Sequence, residues 1–442
     1  MKIQLSDHFT YKKLIRFIIP SVAMMIFTSI YGVVDGFFVS NFAGKTPFAA
    51  INLIMPFLMI LGTVGFMFGT GGSALVAKTL GEGDRIKANR YFSLFVYIAF
   101  LLGTVLAAVG IILITPIARM LGAEGEMLRH CIIYGRIILC ALPFFVLQLL
   151  FQSFFITAEK PQLGFVVTLI SGVINMVLDA SLVGVFRMGV TGAALATALS
   201  QITGGSVGLI YFFGKNTSLL RLGKTSFDIN AIAKAAFNGL SEFMNNIAMS
   251  IVSILYNIQL LKYAGENGIA AYGVLMYVSF VFAAAFIGYS IGVAPVIGYH
   301  YGAQNHSELK NLRKKSMNIV LSTSVVMTAI GLILAKPLSA MFVGYDKELL
   351  SLTVRAFMIF ALSFLFMGVA IFSSGFFTAL NDGLTSAVIS FLRTLVFEAA
   401  SVMILPLIFD INGVWFSIVV AEFMAFLLSL IFIKLKQKHF KY

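Results

Sequence analysis

Residues 94–114 read LFVYIAFLLGTVLAAVGIILI and contain no charged side chain. An α-helix needs roughly 20 apolar residues to cross about 30 Å of hydrocarbon, so this stretch predicts a transmembrane helix. A transmembrane β-strand would alternate apolar and polar residues instead. Similar runs, separated by short polar gaps, bring the predicted total to twelve spans. They are 14–39, 48–80, 92–115, 131–157, 162–186, 190–214, 231–262, 269–300, 316–336, 351–379, 384–407 and 412–435.

The composition of the whole chain agrees with an all-α polytopic membrane protein. Of the 442 residues, 60% are hydrophobic and 11% are charged, and a soluble protein could not bury that much apolar surface. The first apolar run follows a charged, polar stretch and is long enough to span, so we expect no cleaved signal peptide.

The formal net charge of +13 reflects the loops between spans and predicts no nucleic-acid partner. With the N-terminus inside, 21 of the 31 basic residues fall on the cytoplasmic side and 8 on the outer side, which leaves Arg136 and Arg393 within spans. Basic residues are concentrated in cytoplasmic loops of membrane proteins. We therefore expect both termini to face the cytoplasm.

The chain contains an internal repeat at a constant shift of 221 residues. Matching positions include Gly71 with Gly292, Gly81 with Gly302, Pro116 with Pro337, Phe155-x-Thr157-Ala158 with Phe376-x-Thr378-Ala379, and Gly192 with Gly413. Because each copy has six spans, the copies share one topology and should be related by a pseudo-two-fold axis along the membrane normal. We predict an N-lobe (1–214), a cytoplasmic connector (215–230) and a C-lobe (231–442), which alternate access to a substrate held between them.

No nucleotide-binding motif is present to power transport. The triplets Gly44-Lys45-Thr46 and Gly223-Lys224-Thr225 lack the upstream glycine of a P-loop, since Val39 and Ser218 occupy that position. An ion gradient is the expected energy source, unless the protein is a passive channel.

Acidic residues inside spans indicate where such an ion could bind. The five that lie well inside spans are Asp35, Asp179, Glu242, Glu398 and Glu422. A charge that faces lipid costs about 2.5 kcal/mol or more, so these side chains must be buried or paired. Asp35, Asp179 and Thr197 lie at one depth, and Asn175 is one turn from Asp179 on the same face. Two carboxyl groups in a dry site can share a proton, and the same oxygens suit Na⁺; a structural hydrogen-bond cluster is the alternative.

The chain resembles the multidrug and toxic compound extrusion (MATE) transporters, in particular the DinF-like and MepA-like bacterial branch. The resemblance covers nearly the whole chain. It rests on Pro20 and Asp35 in PSVAMMIFTSIYGVVDGFFV, Ala49-Ala50 before Pro56, Gly81-Glu82-Gly83-Asp84, Asn175-x-x-x-Asp179, and Gly192-Ala193-Ala194 with Thr197.

This resemblance implies an antiporter of the bacterial cytoplasmic (inner) membrane that exports lipophilic, mostly cationic compounds in exchange for H⁺ or Na⁺. It implies a cation site at Asp35, Asn175, Asp179 and Thr197, with Tyr31 and Tyr134 nearby and a first helix that bends at Pro20. We expect no cofactor besides the coupling ion, no enzymatic activity, and a monomer surrounded by the lipid bilayer. From the residues themselves, Gln152 is a candidate for lining the cavity of the N-lobe, with interhelical packing as the alternative.

The second half departs from the pattern of the NorM-like branch. Glu242 resembles the acid that this branch uses for Na⁺, yet residues 367–374 carry only hydroxyls where a matching aspartate would stand. Glu242 could take part in coupling or in binding the substrate's charge, or could form a structural hydrogen bond with Asn245 or Asn246. Arg393 could neutralise Glu398 or Glu422, and we expect Arg136 to extend its charge toward the membrane surface.

Three other functions are considered. A lipid-linked oligosaccharide flippase would line its cavity with several cations, whereas only Arg136 and Arg393 lie within spans. An intramembrane enzyme would need a nucleophile with its base or a metal pair, and no histidine lies in a span interior. A passive channel fits poorly with a two-lobe repeat.

Overall fold

The computed structural model describes residues 3–43 and 45–442, so Gly44 of the first triplet lies outside it. Fourteen α-helices form the described structure, which contains no β-strand. They are α1 (Tyr11–Phe38), α2 (Lys45–Gly81), α3 (Arg85–Met120), α4 (Gly125–Thr157), α5 (Pro161–Leu178), α6 (Gly189–Phe213), α7 (Ile229–Asn238), α8 (Leu240–Gly302), α9 (His306–Val343), α10 (Lys347–Ala361), α11 (Phe364–Ala379), α12 (Gly383–Phe391), α13 (Glu398–Ile404) and α14 (Pro406–Phe440).

Eleven helical segments of the described chain are long and apolar enough to cross a membrane, and a bent pair raises the number to twelve. Helix α8 supplies two of the segments, because Gly265 breaks it at a φ of 59°, a conformation that glycine adopts without a steric penalty. The bent pair is α10 and α11, which meet at 48°. The prediction of twelve spans in an all-α membrane protein is confirmed, and the predicted span 351–379 consists of two helices that meet at an angle.

Three short π-helical segments interrupt the spans, at Val39–Ala43, Asp179–Val185 and Leu392–Phe397. The first continues α1, the second continues α5, and the third joins α12 to α13. A π-turn contains one extra residue per turn and is frequent at functional sites. The periodicity of the sequence gave no indication of these segments.

The buried apolar side chains of the described residues form one large cluster in each half of the chain. One runs from Val39 to Ala235. The other extends from Val252 to Tyr442 and also includes Leu5 and Phe9 from the segment before α1. The segment before α1 is hydrogen-bonded to one residue of each half. The Leu5 N–H donates to Glu159 Oε1 (2.8 Å), and the Phe9 N–H donates to Glu308 Oε1 (2.9 Å).

Helices α2 and α8 cross closely at positions that correspond to one another in the repeat. A Cβ atom on Gly81 would lie 2.8 Å from the Ala303 nitrogen, and one on Gly302 would lie 3.0 Å from the Lys78 Cα. Only glycine permits backbones to approach this closely. The two halves therefore make reciprocal contacts at one pair of glycines.

The residues between α6 and α7 lie along the start of α3. The Arg85 guanidinium donates to the Ser218 carbonyl oxygen (3.1 Å), and the Gly223 N–H donates to the Ser93 hydroxyl (3.0 Å). Helix α7 begins at Ile229, within the segment predicted as connector. The lobe boundaries at 214 and 230 remain predictions.

Candidate functional site

Asp35 and Asp179 lie where α-helical hydrogen bonding gives way to π-helical hydrogen bonding. Asp35 is four residues before the π-helical segment that continues α1, and its carbonyl oxygen accepts from the Val39 N–H. Asp179 is the first residue of the π-helical segment that follows α5, and its N–H bonds to the carbonyl oxygens of Asn175 and Met176. The extra residue in each turn changes the direction in which the following side chains point.

The structure brings the two carboxyl groups together, with Asp179 buried and Asp35 partly exposed. Asp179 has no exposed surface. Neither of its oxygens accepts a hydrogen bond from a donor among the described residues, and the same is true of Asp35 Oδ1. The carboxyl groups lie within hydrogen-bonding reach of each other. Two negatively charged carboxylates within hydrogen-bonding reach repel each other. A proton or another cation bound between them removes this repulsion and stabilises the pair.

Asn175 and Thr197 extend this polar site, as the sequence predicts. The Asn175 amide nitrogen lies 3.5 Å from the Thr197 hydroxyl, while its Oδ1 is buried and has no donor among the described residues. The Thr197 hydroxyl faces that of Tyr134, which also donates to Met55 Sδ at 3.7 Å. The arrangement offers carboxyl, amide and hydroxyl oxygens to a proton or a small cation. Within the described ranges, no three His, Cys, Asp or Glu residues gather to hold a metal ion.

Tyr31 borders the pair, whereas Pro20 lies further along the same helix. Tyr31 is close enough for its hydroxyl to experience the Asp35 charge, and its ring lies 6.1 Å from that of Phe27. A Cβ on Gly172 of α5 would lie 3.1 Å from the Tyr31 ring, so α1 and α5 meet closely here. Helix α1 continues through Pro20, which cannot donate a backbone hydrogen bond.

Gln152 is one of two buried glutamines on the same face of α4, and only Gln152 was predicted from the sequence. Gln152 is buried and its Oε1 has no donor among the described residues. Gln148, one turn earlier on the same face, has the same properties and packs against Gly204 of α6 and beside Ser171 of α5. The spacing of four residues between the two glutamines was the signal that could have identified Gln148.

The second half contains a buried charged cluster, in which Arg393 binds Glu422. Arg393 Nε lies 3.0 and 2.9 Å from the two Glu422 oxygens, and Nη2 lies 2.7 Å from Oε1. Glu398 lies beside the Tyr256 hydroxyl, and Glu242 is near enough to experience the Arg393 charge. Tyr256 occupies the position that corresponds to Asp35 at the shift of 221 residues.

The asparagines near Glu242 have other partners. The Asn246 amide donates to the main-chain oxygen of Glu242 (2.9 Å), and Asn245 Oδ1 accepts from Thr394 (2.7 Å). Of the two asparagines that we considered as partners, Asn246 forms a hydrogen bond with Glu242, and it does so through the main-chain oxygen. Residues 367–374, where the NorM-like pattern has an aspartate, carry hydroxyls in this chain. One of them, Ser374 Oγ, lies 2.9 Å from Ser386 Oγ.

Known proteins resemble this chain over nearly its full length. Proteins called multidrug export protein MepA match it at 26% identity in Staphylococcus saprophyticus subsp. saprophyticus (96% of this chain, 94% of the relative) and in Staphylococcus haemolyticus (93% and 90%). The fold matches, at a TM-score of 0.93 and 21% identity, a structure described as an outward-facing conformation of a multidrug resistance MATE family transporter of the MOP superfamily (98% of this chain, 97% of that one). A MATE in complex with MaL6 gives the same score and identity (98% of each chain).

The family model MatE matches the chain twice, over residues 20–181 and 243–404. The first match contains Pro20, Asp35 and Asp179, and the second contains Arg393 and Glu398. The two matches together cover well over half of the sequence. This chain belongs to the MatE family.

Proposed function

We propose that this protein is a cation-coupled antiporter that exports lipophilic, mostly cationic drugs and toxins by alternating access. It works as a monomer in the bacterial cytoplasmic membrane, with both termini in the cytoplasm. Support comes from the MatE family, from relatives called multidrug export proteins, and from a chain that crosses the membrane about twelve times.

The contact between the Asp35 and Asp179 carboxyl groups carries the proposal of coupling. Both Asp179 oxygens and Asp35 Oδ1 lack a donor among the described residues, so the free energy of the pair depends strongly on its protonation. A site built only for structural support would satisfy its oxygens with N–H or O–H groups. A pair left unsatisfied can take up an ion from one side and release it to the other.

Protonation of the pair is the proposed switch. A proton removes the repulsion between α1 and α5, and α1 is free to bend at Pro20, where one backbone hydrogen bond is already absent. A Cβ on Gly288 of α8 would lie 2.6 Å from the Val22 Cα, two residues beyond Pro20. A bend at Pro20 therefore changes the packing between α1 and α8, and this couples ion binding to the contact between the halves.

The flippase alternative is less well supported by the described side chains. Pyrophosphate binding requires cations that are free to face the cavity. Of the two arginines that we placed within spans, Arg393 is bound by Glu422, and Arg136 is exposed. Drug export requires no such cations.

The test is efflux of ethidium from proteoliposomes, first under an imposed pH gradient and then under a Na⁺ gradient. Wild-type protein should transport with at least one gradient, and Asp35→Asn and Asp179→Asn should each lower coupled transport at least tenfold. Asp410→Asn is the matched control, because Asp410 is exposed and its left-handed backbone (φ 49°) accepts asparagine.

Unchanged efflux in both site variants would overturn the coupling assignment. Transport driven only by Na⁺ would identify Na⁺ as the ion held by the oxygens of Asp35, Asn175, Asp179 and Thr197. Equal flux in the absence of either gradient would instead indicate a passive channel.

A further inference from the structure

A cavity of about 920 Å³ lies in the second half of the chain, formed by residues of α9, α10, α14 and the end of α13. Helix α9 begins at His306, close to the segment before α1, and contributes Lys336 near its other end. Helix α10 begins immediately afterwards and contributes Lys347, its first residue. The cavity therefore lies toward the end of the molecule opposite the chain termini, and its lining includes neither Asp35 nor Asp179.

The wall of the cavity is apolar and faces outward. Val354, Met358, Phe409 and Phe416 are among its lining residues. Met358 is 46% exposed and Phe416 is 38% exposed. In a membrane-spanning helix, apolar side chains exposed in this way face lipid hydrocarbon. The wall is therefore open to an acyl chain of the surrounding bilayer.

Three cations that also line the cavity have no partner in the described structure. Lys336, Lys347 and Arg355 are exposed and form no ion pair or side-chain hydrogen bond with other described residues. No acidic residue is among those that line the cavity. The nearby Asp346 carboxylate is engaged by the backbone N–H groups of Glu348 and Leu349, at 2.9 and 3.1 Å.

Asn412 supplies a further polar group to the lining. Its Oδ1 is buried and has no donor among the described residues. A hydroxyl of a bound molecule would satisfy this oxygen, as would an ordered water.

We propose that this cavity binds an anionic phospholipid, with an acyl chain against the apolar wall and the phosphate among the three cations. Unpaired Lys and Arg side chains attract a phosphate group, and the Arg guanidinium can bind two phosphate oxygens at once. Free phosphate would leave the apolar wall exposed, and a lipophilic cation would be repelled by the three positive charges. This inference goes beyond the proposed transport and does not depend on which ion drives it.

The test is native mass spectrometry of the full-length protein titrated with phosphatidylglycerol or with phosphatidylcholine of the same acyl chains. Wild-type protein should bind phosphatidylglycerol at least tenfold more tightly. The variant Lys336→Gln/Lys347→Gln/Arg355→Gln should lose this preference, because it removes the three positive charges that attract an anionic head group. Arg119→Gln/Arg129→Gln/Arg187→Gln is the matched control, since these exposed arginines lie at the same end of the first half, and it should retain the preference.

A second variant tests the apolar wall without changing charge. Ser351 lines the cavity and is exposed, so Ser351→Trp should fold and fill the space. It should reduce phosphatidylglycerol binding at least fivefold. The proposal is overturned if phosphatidylglycerol and phosphatidylcholine bind wild-type protein equally, if the charge variant retains the preference, if Ser351→Trp binds as wild type does, or if glycerol phosphate competes as well as the lipid. The readout is lipid binding alone, so a failure of the transport proposal leaves it interpretable.

Discussion

Replacing Arg393 with methionine should destabilise the protein severely. The guanidinium makes three contacts of 2.7 to 3.0 Å with Glu422, whose side chain is only 3% exposed. Without its partner, the Glu422 carboxylate would be an uncompensated buried charge or would have to take up a proton. Removal of one partner of a buried ion pair costs about 3–5 kcal/mol. We expect the free energy of unfolding of Arg393→Met to fall by that amount.

Removal of both partners should restore much of the lost stability. In Arg393→Met/Glu422→Leu no charge of the pair remains, and apolar replacement of a buried pair is often neutral. Because Glu242 and Glu398 also lie near the Arg393 charge, we expect more than half of the loss, but not all of it, to be recovered.

The single tryptophan of the chain provides the assay. Trp415 is 1% exposed and lies on α14, two turns before Glu422, so its fluorescence reports the unfolding of this helix in mixed micelles. Arg136→Met is the control, since Arg136 is exposed and makes no side-chain contact with a carboxylate among the described residues. The reasoning is refuted if Arg393→Met unfolds at the wild-type denaturant concentration, or if the double variant is as unstable as the single one.

Two further outcomes are expected in the same unfolding assay. Gly81→Ala should cost about 1–3 kcal/mol, because the new Cβ would lie 2.8 Å from a nitrogen of α8, whereas Gly223→Ala has no atom within 4 Å and should be neutral. Equal stability of these two variants would contradict the close crossing of α2 and α8. For Asp382, burial by itself raises the pKa, but hydrogen bonds from Thr385 and Lys436 outweigh burial and leave the pKa below its usual value. The resulting stabilisation is present above the unfolded value of about 3.9 and is lost as pH falls through the lower folded pKa. Asp382→Asn, which can still cap α12, should therefore be about 0.5–1 kcal/mol less stable than wild type at pH 7 and equally stable in acid; a difference that persists at low pH would exclude this ionic contribution.

The proximity of the candidate site residues could be predicted from their positions along the spans, because each helix advances 1.5 Å per residue. Asp35, Asp179 and Thr197 were placed at one level from their positions within predicted spans, and Asn175 was placed on the face of Asp179 by helical spacing. The structure brings these four residues together. Their role in coupling remains a prediction.

Contacts between helices that are distant in sequence were not predictable in the same way. Spacing gives the relative direction of side chains on one helix, but it does not give the rotation of that helix against another. The sequence left open whether Arg393 neutralises Glu398 or Glu422. In the structure, α14 places Glu422 against Arg393, and these two residues form the ion pair. The bend between α10 and α11 has no proline or glycine at the break, which spans 362–363, so no residue there indicated it.

The sequence by itself determined that the chain is a bundle of about twelve membrane-spanning helices in two similar halves, with five acidic residues well inside the spans. Apolar length and repetition suffice for this, because the bilayer imposes a single thickness on every span. Only the tertiary structure decided which acids face each other, which arginine is paired, and where a cavity remains between α9, α10 and α14. Those outcomes depend on the rotation and bending of packed helices, and these are set by many side chains acting together.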